Sequence, residues 1–239
     1  MAVLFLLLYF SHQAVPQETP ALVPPDAVVG RVEVERTRFF GSRTKPEENV
    51  VVYLENPSLK PSALPNTMQM IQQSKRFDPH LLIVTPGSAI DFPNRDPIFH
   101  NVFSPYYGRA FDLGLYKPGD SKRVRFEVPS VSWIFCDIHQ EMSAVVLTLP
   151  TQYFAVTDRR GVFSIRDVPD GTYRLNVWYE EVTPVELTKA SRTVDITPMA
   201  RQLPVIQLSE RGFVRIPHMN KFGKDYPPPS QDPRYQIPP

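Results

Sequence analysis

Cys136, His139 and Met142 fall within seven residues, as CDIHQEM. A thiol, an imidazole and a thioether so close together make a soft donor set. Copper that cycles between its two common oxidation states is served by one thiolate, two imidazoles and a weak thioether, in a trigonal Cys/His/His site with a distant Met. CDIHQEM lacks one imidazole. His100 supplies it within FPNRDPIFHNVFS, 36 residues before Cys136. The candidate metal ligands are therefore His100, Cys136, His139 and Met142, for one copper ion. Singly, each has a plainer use: Cys as a small core hydrophobe, His as a polar surface residue, Met as packing. Their combination in this order is what points to a metal. A fold that has lost its metal, or a site for another soft ion, would use the same residues.

Positioning these side chains falls to β-strands. Apolar residues alternate in short runs bounded by Gly, Pro, Asn and Asp, and no segment sustains a helical period, so the fold class is all-β. Strands are expected over 28–35, 50–55, 80–86, 89–94, 121–128, 130–136, 143–150, 153–158, 162–168 and 172–180. Such spacing suggests sandwiches, and turn sequences such as DRRG (158–161) and PDG (169–171) fall between the runs. His100 would follow strand 89–94 directly and Cys136 would close strand 130–136, so two loops at one pole make the site.

Over residues 66–149 the sequence resembles the cupredoxins, the plastocyanin and amicyanin family. The resemblance is carried by F-x-N-x-D-x-x-x-HNVF from Phe92 to Phe103, by WIFC ending at Cys136, and by the short C-x-x-H-x-x-M loop. It implies a Greek-key β-sandwich holding a type 1 (blue) copper ion. His100, Cys136 and His139 would be equatorial ligands and Met142 axial, with Asn101 pinning the two ligand loops together. Residues 153–180, with D-x-x-G-x-F and V-P-x-G-T-Y, resemble the carboxypeptidase regulatory-like domain, a smaller transthyretin-like β-sandwich. The opening strands of that fold are found far upstream, at 28–35 and 48–56. The domains expected are thus a discontinuous sandwich of residues 28–56 plus 150–209, with the copper domain 66–149 inserted into it. The alternative is serial order, with 28–56 as extra strands of the copper domain.

Composition narrows the class. Lys plus Arg number 26 against 25 for Asp plus Glu, so no global field gathers nucleic acid or an anionic membrane. The apolar run Ala2–Phe10 is too short to span a bilayer and has the length of a signal-peptide core, so residues 1–14 are read as a signal peptide and the protein as periplasmic or otherwise extracytoplasmic. Of 27 prolines, many gather at 16–25, at 57–65 and in a Pro-rich tail over 217–239. The chain's five histidines contain no H-x-H, which disfavours a multicopper oxidase, and a single cysteine excludes a binuclear thiolate centre.

Four protein ligands leave no open position for substrate, so the expectation is one-electron transfer and not enzymatic turnover. Trp133, Ile134 and Phe135, with Phe99 and Phe103, would shield the sulfur. A redox partner protein, of cytochrome or dehydrogenase type, would dock near Tyr106, Tyr107 and Arg109. The competing reading is a non-enzymatic binding, scaffold or copper-storage protein, in which copper is structural, stored or absent. His80 reads as structural. His218 and Met219 are adjacent but lack a partner set for a second copper.

Overall fold

The structure is a computed structural model that describes residues 26–38, 41–59, 66–105, 108–215 and 217–228, with the side chains of 37 and 38 left out. The expected signal peptide, the docking candidates Tyr106 and Tyr107, and residues 229–239 of the tail lie outside the described residues. The chain opens with β1 (Val28–Arg38), β2 (Gly41–Pro46) and β3 (Val51–Glu55). Next come β4 (Thr67–Gln69), β5 (Ile71–Gln73), β6 (Arg76–Asp78), β7 (Leu81–Val84) and β8 (Ser88–Pro93). They are followed by β9 (His100–Ser104), β10 (Phe111–Tyr116), β11 (Ser121–Phe126), β12 (Ser130–Phe135) and β13 (Ser143–Thr148). The last stretch holds β14 (Phe154–Val156), β15 (Val162–Ile165), β16 (Gly171–Trp178), α1 (Pro184–Ala190), β17 (Arg192–Ile196) and β18 (Ile206–Ser209).

The fold is all-β apart from α1, and its strands sort into two sandwiches. In the first, a sheet of β15, β1, β18 and β2 faces a sheet ordered β14-β3-β16-β17. Val28, Val32, Phe163 and Leu208 from one sheet share a core with Val52, Leu54, Tyr173 and Leu175 from the other. In the second, the five strands β10-β9-β12-β13-β7 face the three strands β11-β8-β4, with the β5–β6 hairpin beside them. Its core joins Ile90, Phe92 and Phe126 to Val102, Ile134, Ala144 and Val146. The chain leaves the first sandwich after β3 and re-enters it at β14, which pairs back onto β3 with Phe154 opposite Tyr53.

The two sandwiches touch. Val51 packs with Val145, Leu147 and Leu149, and Tyr53, Trp133, Phe154 and Trp178 lie half-buried around them. Strands β3 and β13 are consequently covered on both faces. Val52 and Leu54 point into the first core and Ala144 and Val146 into the second, while Val51 and Val145 meet between the two. This is why both read as unbroken apolar runs and not as alternating ones. The turn from β14 to β15 is made by DRRG: Asp158 accepts from the N–H groups of Arg160 and Val162. Gly161 sits at φ +72°, where a Cβ would lie 2.3 Å from the Val32 carbonyl oxygen.

Several elements depart from the expectations, the strands β2, β4, β5, β6, β17 and β18 among them. α1 is a helix where none was foreseen. Thr183 caps it by accepting from Glu186 N–H, Pro184 opens it and Glu186 sits in its first turn. At seven residues it is too short to show a helical period. β9 and β10 were also not anticipated; in β9 buried polar residues (His100, Asn101, Ser104) interrupt the apolar pattern of HNVFS, and β10 is mostly not buried. His100 accordingly opens its own strand and does not hang from the end of β8.

Candidate metal centre

β12 delivers Cys136 from its C-terminal end, and the antiparallel return into β13 is a tight loop. Two backbone hydrogen bonds close that loop: Cys136 N–H to the Met142 carbonyl at 3.2 Å, and Met142 N–H to the His139 carbonyl at 3.1 Å. β9 lies beside β12, with Phe103 opposite Phe135, and so carries His100 to the same end. The ligand atoms of His100, Cys136 and His139 lie within 4.8 Å of one another, and all three residues are buried. Met142 is wholly buried in the same core cluster as Cys136.

The distances suit an ion. Cys136 Sγ is 3.8 Å from His100 Nδ1 and 3.7 Å from His139 Nδ1. Metal–sulfur and metal–nitrogen bonds of about 2.3 and 2.0 Å that meet at about 120° span roughly 3.7 Å between donors. A thiolate and two imidazoles set at that spacing form a trigonal donor set of the kind copper favours. The residues therefore fit the group.

Neighbours fix the histidine tautomer and charge. His100 Nε2 donates to Asp96 Oδ2 at 2.7 Å, which leaves Nδ1 with a lone pair toward the sulfur. Asp96 also accepts from Ser74 N–H at 2.6 Å and Lys75 N–H at 2.9 Å. Burial alone would raise the Asp96 carboxyl, but the hydrogen bonds from Lys75, His100 and Ser74 outweigh it and hold the group below the ordinary carboxylate range. Burial lowers His100 in spite of Asp96. His139 is pushed down to about 4 by burial, with the charges of His100 and Lys75 acting the same way. Both imidazoles are thus neutral donors near neutrality. The Cys136 thiol is raised by burial, and the backbone N–H groups of Asn101, Ile138 and His139 oppose this. Asn101 spans the two ligand segments through that backbone contact, while its side-chain amide holds Asp112 at 2.6 Å and not the loop.

The expected shielding residues divide, and only Trp133 and Phe99 turn elsewhere. Ile134 points into the core beside Cys136. Trp133, on the opposite face of β12, packs between the sandwiches, and Phe99 is 48% exposed. Phe103 is buried against Phe135, with ring centroids 5.9 Å apart.

Cover comes instead from residues 217–226. His218 stacks on Phe135 at a centroid distance of 4.0 Å, and its Nε2 lies 2.7 Å from the Gln140 carbonyl oxygen. The Tyr226 hydroxyl donates to the Cys136 carbonyl at 2.6 Å and lies 3.1 Å from His218 Nδ1. Lys221 N–H donates to Asp137 at 2.9 Å, and its ammonium pairs with Asp112 at 2.9 Å. This segment lies across the CDIHQEM loop, and His139 is only 6% exposed. His218 thus belongs to the cover, apart from the His100–Cys136–His139 cluster. His80 bridges the sandwiches, with Nε2 2.7 Å from Glu180 and Nδ1 3.0 Å from the Ser143 carbonyl. Arg109 is exposed on its side chain, and its backbone N–H donates to Ser132.

Asp96, Lys75 and the covering segment were not singled out from sequence. Only Asp96 had a signal, the D-x-x-x-H spacing within the motif that carries His100.

A family model described as polysaccharide lyase family 4, domain II, matches residues 139–202. That description differs from the carboxypeptidase regulatory-like one, which rests on the motifs alone. No curated protein matches the sequence. Among solved structures, a purple cupredoxin from Nitrosopumilus maritimus is 20% identical, with 34% of this chain and 99% of that chain covered at a TM-score of 0.32. The copper-containing nitrite reductase of Thermus scotoductus SA-01 is 21% identical, over 36% of this chain and 22% of that chain, at a TM-score of 0.33. The chain thus spans about a fifth of that reductase. An oxidised amicyanin mutant is 16% identical over 34% of this chain and 81% of that chain, at a TM-score of 0.33. No helix among the described residues is long and apolar enough to cross a membrane.

Proposed function

We propose that this protein is a type 1 copper protein that carries single electrons outside the cytoplasm, and that it is not an enzyme. The observation that carries the reading is the buried convergence of one thiol and two imidazole Nδ1 atoms at 3.7–3.8 Å. His100, Cys136 and His139 would hold the ion, with the Met142 thioether as a further, weaker donor. Copper bound there would supply one-electron redox chemistry. The chain's own part is rigidity and exclusion of water. Asp96 fixes the His100 ring, the Cys136–Met142 hydrogen bond fixes the loop, and Tyr226 and His218 close it from outside. A fixed donor set changes little between oxidation states, which suits electron transfer. Residues 66–149 form the copper module in this reading, held by a sandwich of residues 28–56 and 150–209. A redox partner protein of cytochrome or dehydrogenase type would meet the surface over the CDIHQEM loop.

Titration of the purified chain with Cu(II) tests the reading. An intense visible thiolate–copper band should develop, bleach with ascorbate and return on oxidation, and Cys136→Ser should abolish it. No band from a folded sample, or a band that survives Cys136→Ser, would sink the proposal. A bound metal that cannot be cycled would support storage or structure instead.

A further inference from the structure

Residues 217–226 lie across the C-terminal end of β12 and the start of β10, yet they form no strand or helix and none of them is buried. The segment keeps a shape of its own. Asn220 accepts from Phe222 N–H and Lys224 N–H through its side chain and from Gly223 N–H through its carbonyl, which folds 220–224 into a closed turn. A short set of ring and polar contacts holds this turn to the second sandwich. The His218 ring stacks on Phe135 at 4.0 Å, and its Nε2 reaches the Gln140 carbonyl. Lys221 spans two acids, with its ammonium 2.9 Å from Asp112 and 4.0 Å from Asp137. Tyr226 donates to the Cys136 carbonyl. Upstream, Arg215 pairs with Glu181 of the first sandwich, so the segment is rooted outside the surface that it covers. A segment held without core burial opens at far lower cost than the strands beneath it.

Lifting the segment uncovers the half-buried ring of Phe135 together with two carboxylates, Asp112 and Asp137, at the mouth of the CDIHQEM loop. The groups that satisfy this surface from within the chain are a cation and a flat ring. We propose that it is the docking site of a redox protein that presents a basic side chain beside an exposed ring, and that residues 217–226 are a built-in competitor which this partner displaces. The inference rests on the copper reading above and names the surface and the partner chemistry within it. Displacement brings the partner against His139, which the closed segment leaves only 6% exposed. One electron then passes between the copper and the partner's centre, with no bond made or broken. Only the opened population binds, so the partner's apparent affinity is reduced by the fraction that is closed. Opposite charges at an exposed surface make the encounter sensitive to salt.

Tris(1,10-phenanthroline)cobalt(III), a trivalent cation faced with aromatic rings, serves as the probe for such a partner, and ferricyanide is its anionic counterpart. Each takes one electron from the copper(I)-loaded chain. Lys221→Met removes the internal cation and keeps its stem, with Lys221→Gln as a second neutral variant should the first not fold. Lys224→Met removes an equal charge from an exposed position on the same turn. Lys221→Met should raise the ratio of the cobalt rate to the ferricyanide rate about five- to tenfold, well beyond Lys224→Met, and added salt should shrink the gain. In the metal-free chain, the amides of 217–226 should exchange with deuterium faster than those of β12 and β13. Lys221→Met should quicken them further and leave the two strands unmoved. Amides of 217–226 that exchange as slowly as the strands overturn the inference, because the segment would then not lift. A rate ratio that is unmoved in Lys221→Met overturns it as well. So does an equal rise in Lys224→Met, because net charge alone would then explain it. Each of these failures beside a normal thiolate–copper band leaves the copper reading standing. A wild-type chain that develops no band overturns that reading first and the redox partner with it.

Discussion

Replacing Asp96 by Asn removes one charge and one acceptor from a frame that holds three donors. Asp96 Oδ1 takes Ser74 N–H, and Oδ2 takes Lys75 N–H and the His100 ring. In its better orientation the amide keeps its oxygen toward Lys75 and His100 and turns an NH2 group against Ser74 N–H. One charge-assisted bond is then lost, at about 1.5–3 kcal/mol, and the two survivors weaken by about half. The sum is about 3–6 kcal/mol. In a chain of this size each kcal/mol moves the midpoint about 2–4 °C, so the metal-free variant should melt on the order of 10 °C lower. With the imidazole no longer oriented by a carboxylate, copper affinity should fall about 10- to 100-fold. The pH dependence gives an internal control. The carboxyl is held below its ordinary value in the fold, so its contribution is present above that ordinary value and is lost as pH falls through the depressed one. Wild type should show this acid loss and Asp96→Asn should not. Thermal denaturation followed by circular dichroism and a chelator competition measure the two effects. A midpoint within about 2 °C of wild type, or copper affinity within about twofold, would refute the role assigned to the frame.

Other parts of the structure yield their own tests. His80 is raised by its hydrogen bond to Glu180, so the clasp contributes fully below about pH 6.5 and fades as pH rises through the raised value. Because His80 is half exposed the effect should stay under about 1 kcal/mol. Denaturant midpoints of wild type and Glu180→Gln should differ at about pH 6 and converge at about pH 9, and parallel curves would show that the clasp does nothing. Tyr226→Phe deletes the hydroxyl that contacts the Cys136 carbonyl and His218, about 1 kcal/mol per bond. Copper release to an excess chelator should then quicken about tenfold, and an unchanged rate would mean that the segment does not hold the loop closed.

Donor chemistry made the cluster legible, because a thiol, an imidazole and a thioether within seven residues serve few purposes together. The all-β class was legible for a different reason: most strands are apolar on at least one face, and the turns carry Gly, Pro and Asp. What escaped shares a physical cause. β9 hides because buried polar residues break its pattern, and those residues are buried because they serve the site. Lys75 hides because a polar turn is read as surface by default, and nothing in QSKRF says that the ammonium lies inside. The covering segment hides because it has no periodic element, being held by a stacked ring and by side-chain contacts to backbone. Long-range partners of this kind leave no local trace in a sequence.

The contact between the sandwiches bears on the site as directly as the ligands do. β12 and β13 carry Cys136 and flank the loop with His139, and both strands are packed on two sides. Ile134 and Val146 face the core of the second sandwich, and Trp133, Val145 and Leu147 face Val51 and Trp178. A loop rooted in strands that are clamped on both faces has little freedom to follow a change of oxidation state, and close-packed interiors transmit what strain remains. The hairpin that bears Lys75 is tied to the other ligand strand through Asp96, so both histidines and the cysteine are referred to rigid elements. On this argument the first sandwich is a mechanical part of the metal centre. The aliphatic contacts of Val51 stiffen the cysteine loop from one side, as Tyr226 and His218 do from the other.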